Sequence, residues 1–160
     1  MNTVRHTLLL LLSFVLQTTW VELMEISSLK PDLILLVLIY AALREGPLTA
    51  TVLGFAVGFL QDIYMPTDLG LNALVKSAVG FTIGYGRSRI VGDNIQVQVI
   101  LILGTVLVHD LVYYIGTSAI SLVELPFFWL RYSLGRAIYT GLIGSIFSAA
   151  SLVRRRILPI

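Results

Sequence analysis

Four ionisable side chains lie within apolar stretches of this sequence and are its main candidates for chemistry. They are Asp62, Lys76, Asp110 and Arg136. A charge at the centre of a bilayer costs about 2.5–3.5 kcal/mol on insertion scales, so such groups usually face a bundle interior and pair with opposite charges. Three uses remain open: a structural clamp between helices, which the pattern favours, a small-molecule pocket that opens outward, and a path for protons or ions.

No catalytic or metal-binding pattern accompanies these charges. The sequence has no cysteine, and its two histidines, His6 and His109, have no partner at metal-ligand spacing. His109 and Asp110 could in principle relay protons. Adjacent residues on a helix point about 100° apart, however, so the two cannot line one path equally. We therefore expect no enzymatic activity, no metal and no cofactor.

Small residues recur at helical spacing in three segments and form a second group of candidates. In a bilayer, where water does not drive helices together, such stripes let two helix backbones approach closely. Each stripe could pack within the chain or dock a helix of another protein. The positions are Ala50, Gly54 and Gly58 in the first segment, Ala73, Ser77, Gly80 and Gly84 in the second, and Gly141, Gly144 and Ser145 in the third.

The composition indicates what kind of structure carries these residues. Of the 160 residues, 57% are hydrophobic and only 12% are charged, which is too few charges to cover the surface of a soluble domain. We predict one all-α integral membrane domain over residues 1–160, a bundle of six transmembrane helices. The formal charge of +2 does not indicate nucleic-acid binding, because the basic residues lie at the ends of apolar runs. The predicted spans are about 4–21, 29–43, 48–63, 70–86, 95–116 and 133–153.

The first two spans each have an alternative interpretation. Residues 1–21 have the basic start and apolar core of a secretory signal, but no small-x-small cleavage site follows, which favours an uncleaved helix. A helix from Pro31 to Leu43 would be roughly 20 Å long, short of a hydrocarbon core of about 30 Å. Either it begins earlier, near Ser28, or the segment is partly re-entrant; we favour a full span.

The distribution of basic residues predicts that both termini are cytoplasmic. With six spans, the cytoplasmic segments then hold more Lys and Arg than the outer ones, as the positive-inside rule requires. In this orientation all four intramembrane charges lie in the outer half of the bilayer. The inner residues are Arg5, Arg44, Arg87, Arg89 and Arg154 to Arg156, against Lys30, Lys76, Arg131 and Arg136 outside.

Four short motifs follow one another between residues 30 and 90. They are Pro31-Asp32-Leu33, Arg44-x-Gly46-Pro47, Gly54-Phe55-x-x-Gly58-Phe59-x-x-Asp62 and Leu69-Gly70-Leu71-Asn72-Ala73-Leu74. In this order they resemble the MreD family of bacterial rod shape-determining proteins. Outside this segment only hydropathy and length agree with the family.

The resemblance implies a non-enzymatic subunit of the cell-elongation machinery in the bacterial inner membrane, which helps to control cell shape and lateral-wall peptidoglycan synthesis. It also implies binding to the single-span protein MreC and, through it, to the MreB filament and the peptidoglycan synthases. The family is similar to the substrate-binding subunits of energy-coupling-factor transporters, so an outward-facing capture subunit for a vitamin-type molecule is the alternative. Those subunits commonly carry Ala-x-x-x-Ala on the first helix, and here that helix has no alanine.

Overall fold

The computed structural model describes residues 2–20, 29–64, 66–88, 95–117, 121 and 123–157. Within these ranges the chain is helical and has no strand, so the predicted all-α fold is confirmed. A 3₁₀ turn, Pro66–Asp68, precedes the fourth helix, and a π-helical segment, Trp129–Ser133, joins the last two. The helices are α1 (Asn2–Thr19), α2 (Leu33–Glu45), α3 (Pro47–Tyr64), α4 (Leu71–Gly86), α5 (Ile95–Gly116), α6 (Leu125–Phe128) and α7 (Leu134–Ile157).

Helix α2 lies at the centre of the described structure. It is apolar on all sides, which is typical of a helix enclosed by others, and α1, α3 and α4 pack around it. Helices α5 and α7 pack chiefly against each other. With 13 residues, α2 is roughly 20 Å long. Its buried residues are Ile34, Leu35, Leu36, Leu38, Ile39, Ala41 and Ala42.

Buried polar contacts fix where α2 begins. Asp32 is the N-cap, and its Oδ1 accepts a hydrogen bond of 2.7 Å from the backbone N–H of Leu35. Gln17 of α1 closes the same end, because its Nε2 donates to Pro31 O and its Oε1 accepts from Leu33 N, both at 2.9 Å. The helix therefore starts at Leu33, later than the predicted span at about 29. The alternative start near residue 28 lies outside the described residues.

Among the described helices, α3 and α4 pack together most extensively. They run antiparallel around a turn in which Gly70 has φ +93°, a left-handed conformation that favours glycine. An added Cβ at Gly58 of α3 would lie 2.6 Å from Ala73 Cα of α4. At the other end, a Cβ at Gly84 would lie 2.6 Å from Pro47 Cα. The two backbones therefore touch along the length of the pair.

The helical backbone that leads into α7 begins before the predicted residue 133. The helical backbone starts at Leu125 and passes through the π-helical segment before α7, with right-handed helical angles at both junctions. Trp129 anchors this segment to α5, since its Nε1 donates a 2.9 Å hydrogen bond to Leu107 O. The π-helical turn also places Ser133 in the interior, fully buried. Such turns inside helices are frequent at functional sites.

The surface of the helices is strongly apolar. Among the described residues, one helix, Gln96–Gly116, is long and apolar enough by itself to cross a bilayer. Large apolar side chains are exposed on all the long helices outside the enclosed α2. Phe55 on α3, Phe81 on α4, Ile100 on α5 and Ile146 on α7 are each more than half exposed. Apolar surface on this scale marks contact with lipid or with another protein.

Candidate functional site

Asp62 caps a helix that has no side-chain cap of its own. It is fully buried at the end of α3, and its Oδ1 and Oδ2 accept hydrogen bonds from Asn72 N at 3.1 Å and Ala73 N at 2.9 Å. These N–H groups belong to the first turn of α4, where Gly70 occupies the N-cap position. A carboxylate there satisfies free donors and interacts favourably with the helix dipole. Asp62 thus ties α3 to α4.

Lys76 lies next to this cap and contacts a histidine. Its side chain is 1% exposed, and its Nζ donates 3.0 Å to Asn72 Oδ1. The same Nζ lies 3.3 Å from His109 Nε2 on α5. His109 Nδ1 in turn lies 3.1 Å from Asp110 Oδ1. This network assigns the proton of a neutral His109 to Nδ1, where it faces the carboxylate, and leaves Nε2 to accept from the ammonium.

Arg136 of α7 completes the connection. Its Nη1 lies 3.2 Å from Asp110 Oδ1, with the Arg136 side chain 35% exposed and that of Asp110 only 2%. Asp110 Oδ2 and Ser133 Oγ are both buried, and neither has a hydrogen-bond partner among the described residues. The contacts therefore run from α4 through α5 to α7. We refer to Lys76, His109, Asp110 and Arg136 as the polar cluster.

The polar cluster differs in membership from the charge network that the sequence indicates. Three of the four charges that the sequence places in apolar segments, Lys76, Asp110 and Arg136, come together, whereas Asp62 caps α4 and is linked to the cluster through Asn72. His109 stands between Lys76 and Asp110, whereas its sequence context suggests only a proton relay with Asp110. Nothing in the apolar pattern distinguishes His109 from a core histidine. The signal in the sequence is that His109 directly precedes Asp110.

The contacts of the polar cluster join helices, from α4 to α5 and from α5 to α7. No three His, Cys, Asp or Glu side chains among the described residues are placed to hold a metal ion. Both ring nitrogens of His109 and Nη1 of Arg136 are directed at other members of the cluster. Removing His109 would leave Asp110 and Lys76 each with one contact fewer, and removing Arg136 would leave the buried Asp110 carboxylate without its cation, which is costly. What this arrangement does chemically is hold α4, α5 and α7 together.

The small-residue stripes face helices of the same chain. Gly54 lies against the backbone of Lys76, and Gly80 lies against the backbone of Ala50. On α7, a Cβ at Gly144 would meet Ile102 Cδ1 at 2.6 Å. Hydroxyl groups at the remaining stripe positions bond to their own helices: Ser77 Oγ donates to Ala73 O and Ser145 Oγ to Leu142 O. Gly141 lies near the side chain of Leu103.

An open groove lies between α4 and α5, away from these stripes. Its volume is about 510 Å³, and one end reaches His109. Gly104 is exposed in its wall, and an added Cβ there would meet no atom of the described residues within 4 Å beyond its chain neighbours and its own helix backbone. We refer to this feature as the α4–α5 groove, with walls that include Ala78, Val79 and Thr82 of α4 and Gly104, Thr105 and Val108 of α5.

A smaller polar contact joins the ends of α1 and α2. Thr3 Oγ1 donates 2.7 Å to Glu45 Oε2, and His6 Nδ1 lies 2.8 Å from Glu45 Oε1. The hydrogen bond from Thr3 lowers the pKa of the Glu45 carboxyl, and His6 acts in the same direction against the opposing effect of burial. The carboxylate is therefore the form that holds this end together, and the contact weakens when acid protonates it.

All-helical architecture, apolar outer surfaces and one helix that is able by itself to cross a bilayer, all within the part of the chain that the structure describes, indicate a membrane protein. The rod shape-determining protein MreD family matches residues 1–149, and the chain belongs to this family. The family resemblance of residues 30 to 90 is thereby confirmed, and it extends over nearly the whole chain. Family membership gives the protein a role in determining cell shape. No curated protein and no solved structure matches the chain, so the similarity to transporter subunits has no support.

Proposed function

We propose that this protein is a non-enzymatic, multi-pass subunit of the bacterial cell-elongation machinery. It binds an MreC-like single-span protein in the inner membrane and thereby acts on the MreB filament and the peptidoglycan synthases. The observation that carries this proposal is the family match over residues 1–149. The polar cluster supports it, because its groups are engaged in joining helices of the chain. An assembly subunit needs such a rigid scaffold and no reactive site.

The proposed arrangement in the membrane is six spans with both termini in the cytoplasm. Helices of 18 residues, such as α1 and α3, are about 27 Å long, close to the thickness of the hydrocarbon core. The shorter α2 and α4 can be accommodated by local thinning of the bilayer or by their neighbours. The intramembrane polar groups then form one layer, with Asp62 at the outward end of α3 and Lys76 near the start of α4.

The topology can be tested in intact cells, because the native chain has no cysteine. Thr67 and Ser121, both exposed, should react with an impermeant thiol reagent when changed individually to cysteine. A cysteine at the exposed Ser88, between α4 and α5, should react only after the cells are opened. The reverse pattern, or labelling at all three sites from outside, would contradict six spans with cytoplasmic termini.

Partner binding can be tested by purification from membranes. Tagged full-length protein, extracted in mild detergent, should recover a single-span coiled-coil protein of the MreC type in a constant ratio. Depletion of the tagged chain should make rod-shaped cells round. Recovery without any such partner from cells that contain it would contradict the assembly role. A tightly retained small molecule in place of the protein partner would contradict it as well.

A further inference from the structure

We propose that one buried water molecule is held between α5 and α7, where it donates a hydrogen bond to Asp110 Oδ2 and accepts one from the hydroxyl group of Ser133. The proposal concerns the interior of the bundle and does not depend on the proposed partner. Asp110 lies on α5, and Ser133 ends the π-helical segment that leads into α7. The water adds a second connection between these elements, beside the ion pair of Asp110 and Arg136.

Two oxygen atoms at this place are buried and have no hydrogen-bond partner among the described residues. They are Asp110 Oδ2 and Ser133 Oγ. Asp110 is 1% exposed and Ser133 is 0% exposed. The large majority of buried side-chain polar atoms in folded proteins are bonded to protein groups or to ordered water. A polar group without a partner is especially costly in apolar surroundings. A partner is therefore expected for each of these two atoms.

The two groups are close enough to interact, although no direct hydrogen bond joins them. The side chain of Ser133 interacts with the Asp110 carboxyl group, but Oγ and Oδ2 do not bond to each other. Tyr114, one turn further along α5, interacts with both residues. Water can bridge polar groups that do not bond directly, and a buried water typically makes about three hydrogen bonds. These three side chains supply that number.

The position of Ser133 in the helix explains why a hydroxyl group lies at this carboxylate. Ser133 and Arg136 are three residues apart and therefore share one helix face. Trp129, four residues before Ser133, bonds to α5 through Leu107 O, and Arg136 bonds to α5 through Asp110. Ser133 lies between these two anchors and is fully buried. Its hydroxyl group is thereby enclosed between the two helices.

The charges at the site favour water over a metal cation. Asp110 Oδ1 lies 3.2 Å from Arg136 Nη1 and 3.1 Å from His109 Nδ1, so the carboxylate already has a cation beside it. Arg136 would repel a second positive charge at the same carboxylate. Cations such as Ca²⁺ and Mg²⁺ also take about six or more oxygen ligands. Water carries no charge and can both donate to a carboxylate and accept from a hydroxyl group.

The first test changes the serine. Ser133→Ala should lower the melting temperature in detergent by roughly 2–10 °C, because the water loses one of its partners and Asp110 Oδ2 is held less well. Ser145→Ala is the matched control on α7, since Ser145 Oγ donates to Leu142 O of its own helix. The control should melt at the wild-type temperature or slightly above it, because alanine favours helix. A Ser133→Ala protein that melts like this control would overturn the proposal.

A longer side chain separates a bridging water from a direct bond between the two residues. Ser133→Asn should melt close to the wild-type temperature, because its amide nitrogen can take the place of the water and donate to Asp110 Oδ2. If Ser133 bonded directly to the carboxylate, there would be no room for the amide group. A Ser133→Asn protein that loses as much as Ser133→Ala would therefore overturn the water site.

The third test uses the wild-type chain and does not depend on any variant folding. A structure of the full-length protein, at a resolution that shows ordered water, should contain density within hydrogen-bonding distance of both Asp110 Oδ2 and Ser133 Oγ. A direct bond between these atoms, with no density between them, would overturn the proposal. A melting temperature that changes with the identity of the alkali cation, at constant ionic strength, would indicate a bound ion and would overturn it as well.

Discussion

Gly80→Leu is expected to remove the folded protein from the membrane. A Cβ at this position would lie 2.7 Å from the carbonyl carbon of Ala50 and 3.1 Å from Thr51 N, so the obstruction is backbone on the facing helix. Overpacking in well-packed interiors usually costs about 1–3 kcal/mol. We expect more than about 3 kcal/mol here, because neither backbone can turn aside as a flexible side chain can. Abundance in membranes and the melting temperature in detergent measure the effect.

A glycine-to-leucine substitution at a position with free space around it provides the control. Gly104→Leu adds an identical side chain to the neighbouring helix α5, and the described residues place no atom within 4 Å of its Cβ beyond its chain neighbours and its own helix backbone. It should accumulate at wild-type levels under the same conditions. A Gly80→Leu protein that folds with the wild-type melting temperature would contradict close packing of α3 on α4. If that folded variant also lost its partner, the stripe would be a docking face instead.

The small-residue pattern shows what the sequence predicts about helix packing and what it does not. Spacing of four residues places Ala50, Gly54 and Gly58 on one helix face, and that much depends only on helical geometry. It does not say which helix lies against the face, because an internal neighbour and a partner require the same smooth surface. Gly104 belongs to no small-residue stripe, because the residues four positions away on either side, Ile100 and Val108, are large. Only the open space around it distinguishes this glycine.

The charges in apolar segments illustrate a second limit of prediction from the sequence. Hydropathy alone marks Asp62, Lys76 and Asp110, because each is costly in an apolar segment. Which groups these side chains contact depends on the rotation and depth of each helix, and hydropathy predicts neither. Asp62 bonds to backbone N–H groups of α4, and the clue is Gly70, which supplies no capping side chain. Asn72 contacts both Asp62 and Lys76. In the sequence it looks like an ordinary polar residue next to a turn, so its role could not be predicted.

Arg136→Met is expected to destabilise the protein strongly, because it leaves the buried Asp110 carboxylate without its cation. Removing one partner of a buried ion pair typically costs about 3–5 kcal/mol. The lower end of that range is expected, since the Arg136 side chain is 35% exposed and His109 still contacts the carboxylate. Arg131→Met is the matched control: this exposed guanidinium lies 5.9 Å from the Phe127 ring centroid, an arrangement worth only about 0.5–1 kcal/mol.

The double variant Asp110→Asn with Arg136→Met separates a buried charge from a simple loss of packing. Asparagine keeps an oxygen that can accept from His109 Nδ1, but it carries no charge that needs Arg136. If the uncompensated carboxylate causes the loss, the double variant should recover much of the melting temperature that Arg136→Met loses. A double variant no more stable than Arg136→Met alone would show that Arg136 contributes packing rather than neutralisation. An Arg136→Met protein with the wild-type melting temperature would contradict a clamp between α5 and α7 at this pair.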